Sequence, residues 1–257
     1  MTKKGFKYIY GPVPSWRLGR SLGIDPISGG IRVCTFNCAY CQLGKKGIST
    51  TKRKVFIPTK AILDEIKKLP KVDIDYITFS GSGEPTLAKN LGEIITGIRK
   101  IRKNKIAVLT NSSLLSRKDV QKDLLQADFV AAKLDAPDEA LFKRINKPVK
   151  SVKLDKIIEG IKTFREKFKG KLAVQIMFTK DNKDYSKKIS EIVKVIRPDQ
   201  VQICTSIRHS AESPLSKAEL SKITKYFKGL NYISAHEREI KTTEPIDKKA
   251  TMKRRGA

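Results

Sequence analysis

Cysteine is scarce in this chain: four in 257 residues, at positions 34, 38, 41 and 204. So sparse and clustered a set excludes a disulfide framework. Histidine is scarcer, with only His209 and His236, which are weakly placed for a zinc site. No stretch approaches the roughly 20 apolar residues of a membrane span. The opening MTKKGFKYIYGP lacks the apolar run of a signal peptide. These absences lead to the expectation of a soluble protein in the cytoplasm, with no membrane contact. Acidic residues are also few: 26 Asp and Glu stand against 54 Lys and Arg, a formal charge of +28. That balance suits a polyanionic partner such as RNA. A lysine-rich solvated surface is the plainer reading, although heat-adapted surfaces of that kind normally pair Lys with Glu. The stacking aromatics of RNA-recognition folds are absent.

The chain has no internal repeat and no linker. A single domain is expected over residues 1–240: an N-terminal extension (1–30), a loop carrying three cysteines (31–45) and a regular region (55–237). A basic, disordered tail is expected over 241–257. From residue 55 onward, β-rich runs alternate with amphipathic helical stretches, the first opening on Thr59 as the N-cap of 59–69. With SLGIDP (21–26) as the first strand, about six βα units are countable. Helical crossovers of this length imply a parallel sheet. Six units are too few for a closed eight-stranded barrel. The fold class expected is therefore α/β, a partial (β/α)6 barrel, with a flat doubly wound sheet as the alternative.

Alternation along the strands sorts the two faces. In DFVAAKLD, Val130, Ala132 and Leu134 oppose Phe129, Ala131, Lys133 and Asp135. In LAVQIMFT, Val174, Ile176 and Phe178 oppose Gln175, Met177 and Thr179. In QVQICTSIR, Val201, Ile203 and Ile207 oppose Gln202, Cys204, Ser206 and Arg208. A strand buried on both faces reads as continuously apolar. Here one face suits covering helices, and the other suits a lumen that holds a polar ligand.

CTFNCAYC (34–41) spaces Cys34, Cys38 and Cys41 as C-x3-C-x2-C. Thiolates hold zinc or iron–sulfur clusters. Zinc needs a fourth ligand, which only Cys204 or a distant histidine could supply. A [4Fe–4S] cluster with three protein ligands and one open iron is the better match. With Tyr40 before the third cysteine, the motif resembles the signature of the radical S-adenosylmethionine (radical SAM) enzymes. SGSGEP (80–85), at the end of the next strand, resembles that family's Gly-Gly-Glu element.

The resemblance implies a partial barrel of about six units, a [4Fe–4S] cluster on the three cysteines and S-adenosylmethionine on the open iron. It implies an enzyme in which an electron from a low-potential donor cleaves the sulfonium, giving a 5′-deoxyadenosyl radical that abstracts hydrogen. Gly81, Ser82, Gly83 and Glu84 would hold the methionine ammonium, with Ser82 where the family often has Gly. Asn111, at the end of the next strand, would lie near the nucleoside. Lys133 and Asp135 would reach the carboxylate and ribose. Tyr40, Gln175, Met177 and Arg208 complete the expected cofactor contacts. The group YGPVPSWRLGRSLGIDP (10–26), CAYCQLG and FSGSGEPTL is similar to the wyosine-synthase-like members, which modify a guanine beside the tRNA anticodon. Trp16 stands where those relatives commonly have Arg, and no cysteine precedes Cys34 to build a second cluster.

The segments after the strands would form the mouth of such a barrel. They place Lys45, Lys46, Lys52, Arg53, Lys54, Lys143, Arg144, Lys147, Lys150, Lys180 and Lys183 around it. Together with the resemblance this points to RNA, most specifically tRNA, with the reacting base drawn from its stack. A radical SAM enzyme acting on peptides and a non-catalytic RNA- or ribosome-binding protein are the alternatives.

Overall fold

The computed structural model describes residues 5–27, 29–44, 46–206, 212–235 and 241–255. The chain begins with an antiparallel hairpin, β1 (Ile9–Ser15) and β2 (Gly19–Ile24). A small parallel ribbon follows, β3 (Arg32–Cys34) with β4 (Gly47–Ser49), enclosing the cysteine loop. Then helices and strands alternate: α1 (Thr59–Lys67), β5 (Tyr76–Phe79), α2 (Leu91–Ile101), β6 (Lys105–Thr110), α3 (Lys118–Leu124) and β7 (Phe129–Lys133). Two helices, α4 (Glu139–Asn146) and α5 (Leu154–Lys167), lead to β8 (Lys171–Met177). The chain continues through α6 (Ser186–Ile196), β9 (Gln200–Cys204), α7 (Lys217–Thr224), β10 (Tyr232–Ser234) and α8 (Lys248–Arg255).

One eight-stranded sheet runs in the order β1-β2-β5-β6-β7-β8-β9-β10, parallel except for β1. It curls into a half-barrel. Counting from β2 with α1, the described residues contain six βα units and a final strand, as the sequence led one to expect. The helices form because their apolar residues recur on one face. In α2, Leu91, Ile94, Ile95 and Ile98 are all fully buried against the sheet. Each such side chain contributes roughly 1.5–3 kcal/mol. Val130, Ala132, Leu172, Val174, Ile176, Val201 and Ile203 meet the helices in one large core. Thr59 is already the first helical residue of α1 and not its N-cap; its hydroxyl accepts from the Asn90 side chain at 2.9 Å.

The inner face differs from expectation. The hairpin's own tip occupies part of the lumen. Leu18 packs against Phe129 and among Ala107, Ala131 and Ala173, whose small side chains make room for it. Trp16 packs against Cys204, Ile233 and Ala235 on the last two strands. Arg17 donates to Gln175 Oε1 at 2.8 Å. A good part of the polar inner face is therefore answered by the chain itself.

The C-terminal segment is also corrected. Residues 248–255 form a helix, docked on β1 and β2 and not disordered. Thr251 Oγ1 accepts from the Gly11 backbone at 3.0 Å, and Ala250 and Thr251 are buried. Alanine and threonine one step apart, with Arg254 three and four residues on, give a buried stripe in a stretch whose charges alone suggested solvation.

Candidate active site

The cysteine loop is fastened at both ends. At one side Val33 pairs with the turn after β5: its N–H donates to Ser82 O at 3.0 Å, and its carbonyl accepts from Glu84 N at 3.0 Å. Gly83 permits this approach, since a Cβ there would lie 1.7 Å from Val33 O at a φ of +155°. Gly81, at φ +130°, lies close to Asp25, where a Cβ would meet Cγ at 2.5 Å. At the other side the loop docks on the end of α4. Asn37 N and Ala39 N donate to Asn146 O and Ile145 O at 3.0 and 2.8 Å, and Val149 N donates to Thr35 O at 2.9 Å.

This fastening brings Cys34, Cys38 and Cys41 to one wall of a cavity of about 360 Å³. Tyr40, Gly81, Gly83, Glu84, Asn111, Lys133, Gln175 and Met177 line it as well. The cavity lies where the parallel strands end, as active sites do on barrel folds. Arg208, Lys45, His209 and His236 lie outside the described residues.

Four of the expected contact residues find partners within the chain. Glu84 borders the cavity, and its carboxylate is hydrogen-bonded to its own turn and to β6. Oε1 accepts from Thr86 N, Thr86 Oγ1 and Thr110 Oγ1 at 3.1, 2.7 and 2.7 Å, and Oε2 accepts from Asn111 N at 2.7 Å. It is buried, which pushes its carboxyl above the usual carboxylate range, while those four donors pull it back. Its structural work is to lock the turn to the end of β6. Asp135 lies behind the cavity wall. It accepts from the Tyr40 hydroxyl, from Asn146 Nδ2 at 2.8 Å and from Met177 N at 2.8 Å. Lys133 Nζ stands 3.9 Å from it and 5.1 Å over the Tyr40 ring. Burial and the Asp135 charge hold the Tyr40 hydroxyl well above the phenol range, so it remains a donor. Gln175, bound by Arg17, carries the hairpin tip. Ser82 turns its hydroxyl away from the cavity, to Asp25 Oδ2 at 2.6 Å.

Two side-chain amides face the thiols. Asn111 Nδ2 is 3.4 Å from Cys34 Sγ, and Asn146 Nδ2 is 3.6 Å from Cys38 Sγ. Burial pushes the Cys34 thiol up to about 12, with the Glu84 charge adding to the effect. Burial pushes Cys38 up to about 11, against the opposing charge of Lys133. Binding of a positively charged group would favour the ionised thiolates. Among the described residues no three of His, Cys, Asp and Glu gather as they would round a single ion. Thiolates on one zinc would stand roughly 3.7 Å apart, from Zn–S bonds of about 2.3 Å. Three thiols on one cavity wall, with no fourth His, Cys, Asp or Glu gathered with them among the described residues, fit a [4Fe–4S] cluster, which Cys34, Cys38 and Cys41 would hold.

Sequence reasoning missed Arg17, Tyr10, Asn146, Asp25 and Arg254. PSWRLG was visible as a motif, but its reach across the lumen was not. Asn146 carries no local signal at all. Of the mouth cations, Arg53 is not a rim residue: its side chain is buried, bound to Asp119, Asp123, Thr86 O and Ala88 O. Lys183 pairs with Glu219 and Arg144 with Asp181. Lys46, Lys52, Lys54, Lys143, Lys147, Lys150 and Lys180 are exposed.

Comparison with known proteins shows the family and the fold. The sequence profile of the Radical SAM superfamily matches residues 30–196. The UPF0026 protein slr1464 of Synechocystis sp. is 46% identical over 77% of this chain and 75% of its own length. Among solved structures, SuiB of Streptococcus suis bound to precursor peptide SuiA aligns at TM-score 0.63 and 16% identity, over 80% of this chain and 47% of SuiB. This chain thus spans about half the length of SuiB. Archaeal TYW1 aligns at TM-score 0.59 and 16% identity, over 82% of this chain and 72% of TYW1. No helix among the described residues is long and apolar enough to cross a membrane.

Proposed function

The chain belongs to the radical SAM superfamily, and from that premise we propose that it is an iron–sulfur enzyme that modifies a nucleotide in RNA, most specifically tRNA. One observation carries the reading: three cysteines, a glycine-rich turn and Lys133 meet in one cavity at the C-terminal end of the sheet. Cys34, Cys38 and Cys41 would hold the [4Fe–4S] cluster. When bound, the cluster supplies the electron that cleaves S-adenosylmethionine reductively.

The remaining work falls to the chain. The Tyr40 ring and Met177 give the cavity apolar walls, and Lys133 offers a cation to a carboxylate. Because Glu84 already accepts four hydrogen bonds within the chain, the backbone of the 81–83 turn is what this reading sets against the methionine ammonium. The hairpin tip closes part of the lumen, so water and ligand enter from the mouth. A cavity of about 360 Å³ is at the small end for a ligand site. With S-adenosylmethionine inside, a macromolecular substrate must present a single group, as a flipped base does. Exposed Lys46, Lys52 and Lys54 follow the cysteine loop and suit a phosphate backbone. The fold shared with archaeal TYW1 is compatible with that substrate.

A peptide substrate is the second reading. Ile31 and Ile48, each just over half exposed, lie beside and on the β3–β4 ribbon that carries Cys34. Exposed aliphatics suit a peptide better than RNA, and SuiB was solved with one. The test is anaerobic reconstitution and assay for 5′-deoxyadenosine, with mass analysis of tRNA nucleosides from deletion and complemented strains. A nucleoside missing only in the deletion strain supports RNA. Unchanged nucleosides alongside active cleavage move the substrate to peptide.

A further inference from the structure

The turn at 80–83 is held from behind by a residue more than 170 positions later. Arg254, near the end of α8, has a side chain only 4% exposed. Its Nε stands 3.4 Å from Asp25 Oδ2, its NH1 donates to Ala250 O at 3.0 Å, and its NH2 donates to Lys7 O. Two routes lead from this guanidinium to the turn. In the first, Asp25, itself fully buried, accepts from Ser82 Oγ at 2.6 Å and lies against Gly81. In the second, the guanidinium lies 5.9 Å over the Tyr10 ring, whose hydroxyl is 2.6 Å from Ser80 Oγ. The routes end on the residues flanking Gly81, and Arg254 also borders the cavity.

We propose that α8 is part of the S-adenosylmethionine site and that Arg254 is a positioning residue for the 80–83 turn. The inference rests on the reading of that turn as the cofactor's seat. Arg254 offsets the Asp25 charge; without it, a carboxylate with no access to water would be left uncompensated directly under Gly81. Asp25 would then draw in water or another cation, and the Ser80 and Ser82 anchors would shift. The cysteine loop meets this turn only through the Val33 backbone and is fastened independently to the end of α4, so cluster iron is expected to survive a shift of the Ser80 and Ser82 side-chain anchors.

The test compares anaerobically reconstituted Arg254→Met with the wild-type holoprotein for iron content and for S-adenosylmethionine affinity by titration calorimetry. The expected result is unchanged cluster iron with Kd raised about tenfold or more. The double variant Asp25→Asn/Arg254→Met should recover part of the affinity. Asparagine still accepts from Ser82 and needs no counter-charge, whereas a merely stabilising Arg254 would give no such rescue. If Arg254→Met does not fold, Arg254→Lys carries the test, with a smaller loss in the same direction. Affinity within about twofold of wild type in whichever variant keeps its cluster overturns the proposal, as does a double variant no better than the single. A wild-type holoprotein that binds no S-adenosylmethionine overturns the reading of the site itself, and this proposal with it.

Discussion

Asn111 points its side-chain amide at Cys34, with Nδ2 3.4 Å from the thiol sulfur. A donor at a thiolate stabilises the extra negative charge of a reduced cluster. Replacing Asn111 with Ala should therefore make the cluster harder to reduce. A hydrogen bond of about 0.5–1.5 kcal/mol corresponds to a shift of roughly 20–60 mV for one electron. Potentiometric titration followed by EPR reads it. A potential unmoved, or moved upward, removes the amide from the cluster's environment.

Cys34→Ala, Cys38→Ala and Cys41→Ala should each lose cluster iron and the brown chromophore. Cys204→Ala should keep both. Cys204 is buried between Trp16, Ile233 and Met177, across the lumen from the cysteine loop. Iron lost from the Cys204 variant and retained in the Cys38 variant would reverse the assignment.

Glu84→Ala should behave as a structural lesion. Several donors, among them Thr110 Oγ1 and Asn111 N, would lose their acceptor in a buried place. The two threonine hydroxyls can rotate, but the Thr86 and Asn111 N–H groups cannot; at about 1–3 kcal/mol for each, the loss is on the order of 2–6 kcal/mol. Tm and cluster iron should fall together. An Ala variant with wild-type Tm and iron that cannot bind S-adenosylmethionine would return the carboxylate to the ligand.

Binding of tRNA should weaken as salt rises. Each phosphate contact on a single strand adds about −0.7 to the slope of log K against log salt. Lys46, Lys52 and Lys54 changed together to Gln should flatten that slope by up to roughly 2. Lys100, Lys103 and Lys105, exposed at the opposite end, are the control and should change it little. Arg53 is omitted because its substitution would break a buried ion pair. Equal effects at the two ends would mean that RNA is not positioned at the cavity.

Asp75 ties the hairpin to β5 through Arg20, with contacts of 2.8 and 3.3 Å, and this holds its carboxyl down at about 2. A depressed carboxyl stabilises the fold above its unfolded pKa near 4, and the effect is lost as pH falls toward 2. Asp75→Asn should cost about 0.5–1 kcal/mol at pH 7, since the pair is partly solvated, and nearly nothing at pH 2. Chemical denaturation at the two pH values checks this. A difference that persists undiminished at low pH would show that charge is not its source.

The sequence was most informative where structure is periodic. Alternation in β7, β8 and β9 separated the faces correctly, because a strand's period of two is a local property. The cysteine spacing and the glycines at 81 and 83 were equally legible. The side-chain roles were less so. Glu84 and Asp135 read as ligand contacts because a buried carboxylate needs partners, and those partners, Thr110, Asn111, Tyr40 and Asn146, are supplied by tertiary contact. Trp16 to Leu18 lie within a recognisable motif, yet nothing local says that they cross the lumen to Gln175 and Cys204. In α8, five cations among eight residues concealed a buried stripe.

The docking of α8 also sets an order of assembly. Cys34, Cys38 and Cys41 emerge from the ribosome about 210 residues before Arg254. At roughly 5–20 residues per second, that is an interval of about 10–40 s. Throughout it the strands can pair and the cysteine loop can fasten to α4, but Asp25 has no counter-ion. The wall of the cavity beneath Gly81 is thus completed only once Arg254 has been made and α8 has docked.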